Sequence, residues 1–356
     1  MSQIKKYTIL NTLSIRDAVQ KMDNENLNLL VVINSSKKVK GIFTMGDFRR
    51  VVFFGLDIDN KVESIINKNF EYLAEDYTKN EVKKIFTKND LILEIPVLNK
   101  KFQLLKIISR NIFDTSTKLI RKNINLKNFP VVIMAGGKGT RLDPFTRILP
   151  KPLIPCGKNP IIRVIMDYFL KTGSKKFYIS VNEKSSMIKA YFHDLKSIYN
   201  IKYIEEKKPL GTAGSLKFLK NKVKDTFFVT NSDILIQSHY PSMLEFHKNN
   251  KYDLTLISSM QNYKISYGVC NFSKKGQLKS IKEKPQYDFF VNTGFYIIEP
   301  KLLELIPNNI KFDMTELIIK AKEKKMKIGV FPISKNSWTD VGQWKEYEKN
   351  INRFNI

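Results

Sequence analysis

Val131-Val-Ile-Met-Ala-Gly-Gly-Lys-Gly-Thr-Arg-Leu-Asp-Pro144 opens the larger half of the chain, and its order of residue types decides the fold. The apolar run Val131–Ala135 leaves no position for water, as expected of a strand buried on both faces. Gly136, Gly137 and Gly139 follow at once, and glycine lets backbone N–H groups approach phosphate oxygens closely. Thr140 and Arg141 add a hydroxyl and a guanidinium, and Pro150-Lys151-Pro152 adds an ammonium. Arginine grips polyphosphate through bidentate hydrogen bonds, whereas lysine acts as a point charge. The spacing is neither that of a Walker loop, which ends in Gly-Lys-Ser/Thr, nor that of the dinucleotide fingerprint.

Outward from this stretch the chain alternates strand, loop and helix. Pro160–Leu170 carries apolar residues at helical spacing, and Gly173 is placed to end it. A strand at Phe177–Val181, a helix at Met187–Leu195, strands at Lys202–Ile204 and Phe227–Thr230, and a helix at Pro241–His247 follow. This alternation predicts an α/β fold over 129–356: a Rossmann-like, doubly wound, mostly parallel sheet binding its ligands at the strand C-terminal ends.

The whole chain has 356 residues, room for two domains, and its 42% hydrophobic content excludes a disordered tail. A net charge of +27 points to acidic partners, but only nine of the 61 basic residues are arginine. A drift towards lysine accounts for the excess better than nucleic-acid binding does, since aromatic-interleaved basic motifs are missing. Cys156 and Cys270 cannot build a disulfide scaffold, and His193, His239 and His247 lack metal-ligand spacing. No apolar run approaches the ~18–20 residues of a spanning helix and Met1–Asn11 lacks a signal-peptide core, so a cytoplasmic protein with no membrane partner is expected.

The first half, 1–121, carries an internal repeat. Leu30-Val-Val-Ile-Asn34 returns as Ile95-Pro-Val-Leu-Asn99, 65 residues later, and Gly41-Ile-Phe-Thr44 returns in register as Lys106-Ile-Ile-Ser109. Each unit reads helix, strand, turn, strand, helix, too small to bury its own sheet, so the two are expected to pack together. The polar stretch 122–128 reads as the linker to the second half. The repeat, with Thr44-Met-Gly-Asp47, resembles a pair of cystathionine-β-synthase (CBS) domains, which implies a smaller α+β domain. In that family a Thr or Ser followed three residues on by Asp contacts an adenine nucleotide. Thr44 and Asp47 match, whereas the second unit offers Ser109 but Ile112. The same pair makes a helix cap, Thr as N-cap and Asp in the first turn. A structural or homo-oligomerising role for this half is favoured over ligand sensing.

The second half resembles the sugar-1-phosphate nucleotidyltransferases over Pro130–Tyr347. Beyond the glycine loop, the family's motifs recur in order as Leu210-Gly211-Thr212-Ala213-Gly214, Asn231-Ser232-Asp233, Glu283-Lys284-Pro285, Asn292-Thr293-Gly294 and Trp338-Thr-Asp340-Val-Gly342. The resemblance implies an enzyme that joins a nucleoside triphosphate to a sugar-1-phosphate and releases pyrophosphate. Asp233 and Asp340 would hold Mg²⁺, and Ala135, Gly136, Gly137, Gly139, Thr140, Gly211, Thr212 and Ala213 would bind the nucleotide. Arg141 would take the departing pyrophosphate and Lys151 the α-phosphate. Lys284, with Glu283, Asn292, Thr293 and Gly294, would bind the sugar phosphate. Trp338 and Trp344 are expected to pack rather than to touch substrate.

Family members that use uracil or thymine carry Gln five residues before the loop glycine; here that position is Glu206. A carboxylate only accepts, and guanine presents two adjacent donors, N1–H and N2–H, so Glu206 points to GTP. If Glu206 is instead a surface charge, UTP, CTP or dTTP stays open. The fused CBS pair resembles bacterial enzymes making GDP-glucosamine for legionaminic acid, which implies glucosamine-1-phosphate, with mannose- and heptose-1-phosphate as neighbours. A non-catalytic nucleotide sensor is the alternative class, although it would not need Arg141, Lys151, Asp233, Lys284 and Asp340 together.

Overall fold

Val131–Met134 forms an inner strand of a seven-stranded sheet, and Val131, Val132 and Ile133 are fully buried. The structure is a computed structural model describing residues 3–89, 91–110, 126–137, 139–182, 184–195, 198–344 and 347–348. Two units are distinct, Met1–Asn123 and Ile124–Ile356.

In the second unit the strand order is Asn200–Glu205, Lys176–Val181, Val131–Met134, Phe227–Asn231, Gln286–Ile298, Leu254–Lys264, Ile328–Ile333. All neighbours run parallel except Gln286–Ile298, which is antiparallel to both of its partners. The order reverses at Val131–Met134: Lys176–Val181 lies on one side and Phe227–Asn231 on the other. Such a reversal opens a crevice beyond the strand C-termini. Successive side chains of Val131–Met134 enter different cores. Val131 and Ile133 join Phe169 and Phe228, while Val132 and Met134 join Leu216 and Leu317. The helix Ile161–Lys171 covers the first face with Ile162, Ile165, Met166 and Phe169, and Met314–Glu323 covers the second with Met314, Leu317 and Ala321. Truncating a ring such as Phe169, stacked 5.8 Å from Phe295, would cost ~3–5 kcal/mol.

The expected doubly wound sheet is present, with boundaries shifted by one or two residues: Ile161–Lys171 for the first helix, Ser185–His193 for the second, Tyr240–Asn249 for the third. Residues 122–125 of the expected linker and Ile112 lie outside the described residues. Leu126–Asn128, assigned to the same linker, is a 3-10 turn whose Leu126 is fully buried and donates its N–H to Thr172 O at 3.0 Å, so this end packs with the second unit.

In the first unit, Thr8–Leu10 pairs parallel with Leu29–Ile33, which pairs antiparallel with Val39–Thr44. Leu73–Ala74, Glu94–Leu98 and Leu104–Ser109 repeat this arrangement, down to a register shift at Val32/Ile33 and again at Val97/Leu98. Leu29, Val31, Val39 and Ile42 pack against Leu98, Leu104 and Ile107, so neither sheet buries its apolar face alone. The leading strands Thr8–Leu10 and Leu73–Ala74 are too short for periodicity to mark them. Among the described residues no helix is long and apolar enough to cross a membrane.

At the strand end remote from the glycine loop, Glu299 joins a polar cluster. Its carboxylate accepts from Thr226 Oγ1 at 2.6 Å, Lys248 Nζ at 2.9 Å and His247 Nε2 at 3.1 Å. Burial by itself would raise this carboxyl, but the bonds from His247, Thr226 and Lys248 hold it down at about 2. Its folded value lies below the ordinary carboxylate value. The cluster therefore stabilises the fold fully above about pH 4.5, and that contribution disappears as pH falls towards 2. Thermal denaturation between pH 6 and 2.5 should show Glu299→Gln with a lower Tm at pH 6 and a shallower acid decline than the unaltered chain. Parallel declines would remove Glu299 as the titrating group.

Candidate active site

The glycine loop is held by its carbonyl side and by the strand behind it. Ala135 N–H donates to Ser180 O at 3.1 Å and to Ser180 Oγ at 3.2 Å, and Asn182 Nδ2 donates to Gly136 O. Thr146 Oγ1 donates to Gly139 O at 3.0 Å. The amides of Gly136, Gly137, Gly139 and Thr140 make no hydrogen bond among the described residues, which leaves them available as donors. Gly139 has φ +72°, and a β-carbon there would meet Thr146 Cγ2 at 2.9 Å and Lys151 Cβ at 3.0 Å. The glycine is therefore required twice, for its conformation and for the stem of Lys151 beneath it. Thr140 and Arg141 are exposed beside the loop.

Lys151 runs inward from this loop to Asp233. Its ammonium is ion-paired with Asp233 Oδ2, and the two side chains are only 13% and 8% exposed. Asp233 stands just past the strand Phe227–Asn231, in a turn fixed by Ser232 N–H on Met134 O at 3.2 Å. The strand Trp338–Asp340 pairs antiparallel with Ile234–Ile236 and sets Asp340 opposite Ile234. Val341 N–H donates to Asp233 O at 3.0 Å, and Gly342 N–H to Asp340 Oδ1 at 2.8 Å. A β-carbon on Gly342 would overlap Asp233 Oδ2, and would lie 2.8 Å from Lys151 Nζ and 2.9 Å from Asp340 Oδ1. Three charged groups thus converge on one side-chain-free position. Two carboxylates around a cation are the hard oxygen donors that suit Mg²⁺, with substrate oxygens left to complete the coordination. No third His, Cys, Asp or Glu joins them among the described residues.

Glu206 continues the parallel ladder, its N–H on Val181 O at 2.9 Å, and is only 8% exposed. Its Oε2 accepts from Leu210 N–H at 3.2 Å, while its Oε1 faces Gly136, where a β-carbon would come within 2.7 Å. It is therefore a buried acceptor against the glycine loop. Its neighbour Glu205 is the surface charge, paired with Lys189.

The chain matches two family models, one described as nucleotidyl transferase over residues 130–354 and one as CBS domain over residues 3–53. The chain belongs to the nucleotidyl transferase family. It is 32% identical over 229 residues to the mannose-1-phosphate guanyltransferase of Yarrowia lipolytica, covering 61% of each chain. It is 30% identical over 227 residues to the mannose-1-phosphate guanylyltransferase catalytic subunit beta of Xenopus tropicalis, covering 61% of this chain and 62% of that one. The chain thus spans about three fifths of the length of these curated relatives. Among solved structures, HddC from Yersinia pseudotuberculosis is 26% identical with a TM-score of 0.51, covering 64% of this chain and 99% of that one. A second structure of HddC, complexed with GMP-PN, is 25% identical with a TM-score of 0.50 over the same 64% of this chain and 99% of that one.

The remaining predicted residues of the nucleotidyl transferase unit divide into two groups. In the first, the side chains and amides are taken up by the fold. Thr212 N–H and Oγ1 bond Asp313 Oδ1 at 2.9 and 3.3 Å, and Ala213 is fully buried with its N–H on Phe312 O at 3.0 Å. Gly211, at φ +77°, would bring a β-carbon 2.5 Å from Asp313 Oδ1. Thr293 is buried with its hydroxyl on Ile257 O at 2.7 Å, and Gly294, at φ +80°, lies against Asn231. Thr293 and Gly294 form the bulge where the pairing with Leu254–Lys264 shifts, and bulges re-aim side chains near sites. Asn292, next to it, is exposed but braced, its Nδ2 on Tyr296 OH at 2.7 Å.

The second group is open to solvent. Glu283 and Lys284 stand 3.8 Å apart, 69% and 61% exposed, just past the strand Leu278–Lys282, and neither pairs with the Lys151–Asp233–Asp340 cluster. Ser180, Asn182, Asp313 and the steric demand at Gly342 were missed from the sequence; single polar residues at strand ends carry no spacing signal. Thr44 and Asp47 form a complete capping box on the helix Met45–Phe53, and Asp47 Oδ1 also pairs with Arg50.

Replacing Gly342 by Ala inserts a methyl among the three charges. It should abolish measurable transferase turnover while leaving the far-ultraviolet circular dichroism unchanged. A Gly342→Ala protein of ordinary activity would show that the cluster does not need this spacing.

Proposed function

We propose that this chain transfers GMP from GTP to a sugar-1-phosphate, giving a GDP-sugar and pyrophosphate. One observation supports it most: Lys151, Asp233 and Asp340 converge beside a glycine loop whose amides have no partner among the described residues, at the crevice where the sheet order reverses. Such a site neutralises a polyphosphate and brings an anionic oxygen to it.

The sugar phosphate already bears an anionic oxygen, so no general base is needed. That oxygen attacks the α-phosphorus, a new P–O bond forms, and the bond to the β-phosphate oxygen breaks in line to release pyrophosphate. The glycine-loop amides and Arg141 hold the departing pyrophosphate, and Lys151 takes the α-phosphate. Asp233 and Asp340 would hold Mg²⁺, which supplies charge neutralisation between the phosphates. Lys284 receives the sugar phosphate, with Glu283 and Asn292 on the hydroxyl or amino groups of the ring. Glu206 accepts from guanine N1–H and N2–H; its burial against Gly136 supports this assignment over a surface charge. Glucosamine-1-phosphate is the first sugar to test, from the pairing of a CBS domain with a transferase. Mannose-1-phosphate is the second, from the relatives at 30–32% identity.

Pyrophosphate release should be measured with Mg²⁺ for GTP, UTP, CTP, dTTP and ATP against glucosamine-, mannose-, glucose- and N-acetylglucosamine-1-phosphate. GTP should dominate the nucleotide axis; strong release with UTP would overturn the role of Glu206 and leave the reaction class intact. Silence in every combination would favour a nucleotide sensor. In the active pair, Glu206→Gln should lower kcat/KM for GTP by ~10–100-fold, the worth of a charge-assisted hydrogen bond. Lys284→Ala should raise the sugar-phosphate KM by a similar factor and leave the GTP KM unchanged. Normal turnover of Lys284→Ala at low sugar phosphate would remove that lysine from the site.

A further inference from the structure

The ion pair between Lys151 and Asp233 bears on how the site takes up its cation. Lys151 Nζ lies on Asp233 Oδ2, the same oxygen that faces Asp340 across Gly342. Both side chains of the pair are almost wholly withdrawn from water, so neither charge is screened well. A divalent ion placed between Asp233 and Asp340 would lie against the ammonium already on Asp233 Oδ2, and like charges so close and so poorly screened repel strongly.

We propose that Lys151 is a resident counter-ion, exchanged for the divalent cation: binding of the ion releases the ammonium from Asp233 and frees it for the nucleotide phosphates. The inference rests on the assignment of Asp233 and Asp340 to the cation under the proposed function. Lysine suits the task because its flexible four-carbon stem lets a point charge move without a fixed hydrogen-bonding plane. The stem is anchored under Gly139, at the base of the glycine loop, so the released ammonium stays beside the phosphate-binding amides. Two consequences follow. The cation alone binds weakly, because it must displace an internal charge. The nucleotide strengthens cation binding, because it receives the displaced one, and by reciprocity the cation strengthens nucleotide binding.

The test is Mn²⁺ binding to the full chain by calorimetry and by electron paramagnetic resonance, with and without a non-hydrolysable GTP analogue. Lys151→Met should bind Mn²⁺ alone roughly tenfold tighter than the unaltered chain, since the competing charge is gone. It should also lose the tightening caused by the nucleotide. Lys151→Arg keeps the charge and should show no gain, and Asp233→Asn should bind Mn²⁺ most weakly. Thermal melts of each variant verify folding. Equal or weaker Mn²⁺ affinity in folded Lys151→Met, with Asp233→Asn impaired, overturns the exchange while sparing the cation site. Mn²⁺ binding that is indifferent to Asp233→Asn overturns the cation assignment and the exchange with it.

Discussion

A carboxylate as withdrawn from water as that of Asp233, with a second carboxylate close by, is a costly arrangement unless a cation stands against it. Lys151 supplies that cation, and meeting its demands fixes three segments far apart in sequence. The Pro150-Lys-Pro turn must carry the lysine stem under Gly139, which only a residue without a side chain permits. The strand Trp338–Asp340 must add itself to Ile234–Ile236 so that Asp340 arrives opposite Ile234. Gly342 must present bare backbone where all three charges meet. Loss of the lysine would leave an uncompensated buried carboxylate, which is far more costly than the net worth of an ion pair.

The glycine loop obeys the complementary logic. Ser180, Asn182 and Thr146 hold Ala135 N–H and the carbonyls of Gly136 and Gly139. A loop fixed from behind holds its remaining N–H groups in place, which is the preorganisation the proposed phosphate site requires. Glu206 stands against the same loop with one oxygen bonded to Leu210 N–H and the other turned to Gly136. The groups proposed for phosphate and for base thus stand at adjacent strand ends, Val131–Met134, Lys176–Val181 and Asn200–Glu205. A change in the glycine loop should therefore disturb both together.

The central strand was legible in the sequence because a strand buried on both faces leaves no polar residue to confuse its reading. Asp233 drew attention as a charge that the end of an apolar strand has no packing reason to carry, and Asp340 through the motif that the family resemblance supplied. What the sequence did not disclose were partners. Thr212 and Ala213 bond to Phe312–Met314, about a hundred residues away, and motif order says nothing about such a contact. The pairing of Lys151 with Asp233 was equally hidden, since both residues were read by their chemistry towards a ligand rather than towards each other. Gly342 shows a third kind of gap: its place in a motif was readable, but its steric reason exists only once three remote charges surround it.

The first unit shows how a shared topology can carry different polar contacts just past the equivalent strand. Ser109 and Arg110 stand 65 residues after Thr44 and Met45, at the end of the equivalent strand. In the first repeat, Asp47 caps the following helix, takes the Thr44 N–H and hydroxyl on one oxygen and Arg50 on the other. In the second, Arg110 is buried, donating to Phe86 O at 2.6 Å, Asn89 O at 2.7 Å and Ile92 O at 2.8 Å, and lying over the Phe86 ring. The Phe86 and Asn89 carbonyls lie at the C-terminal end of the helix Lys79–Lys88, where a cation also complements the helix dipole. One repeat therefore follows this strand with a Thr–Asp capping box on the next helix, and the other with an arginine on the C-terminal carbonyls of the preceding helix. A ribose bound at Asp47 would have to displace both Thr44 and Arg50 from the same carboxylate.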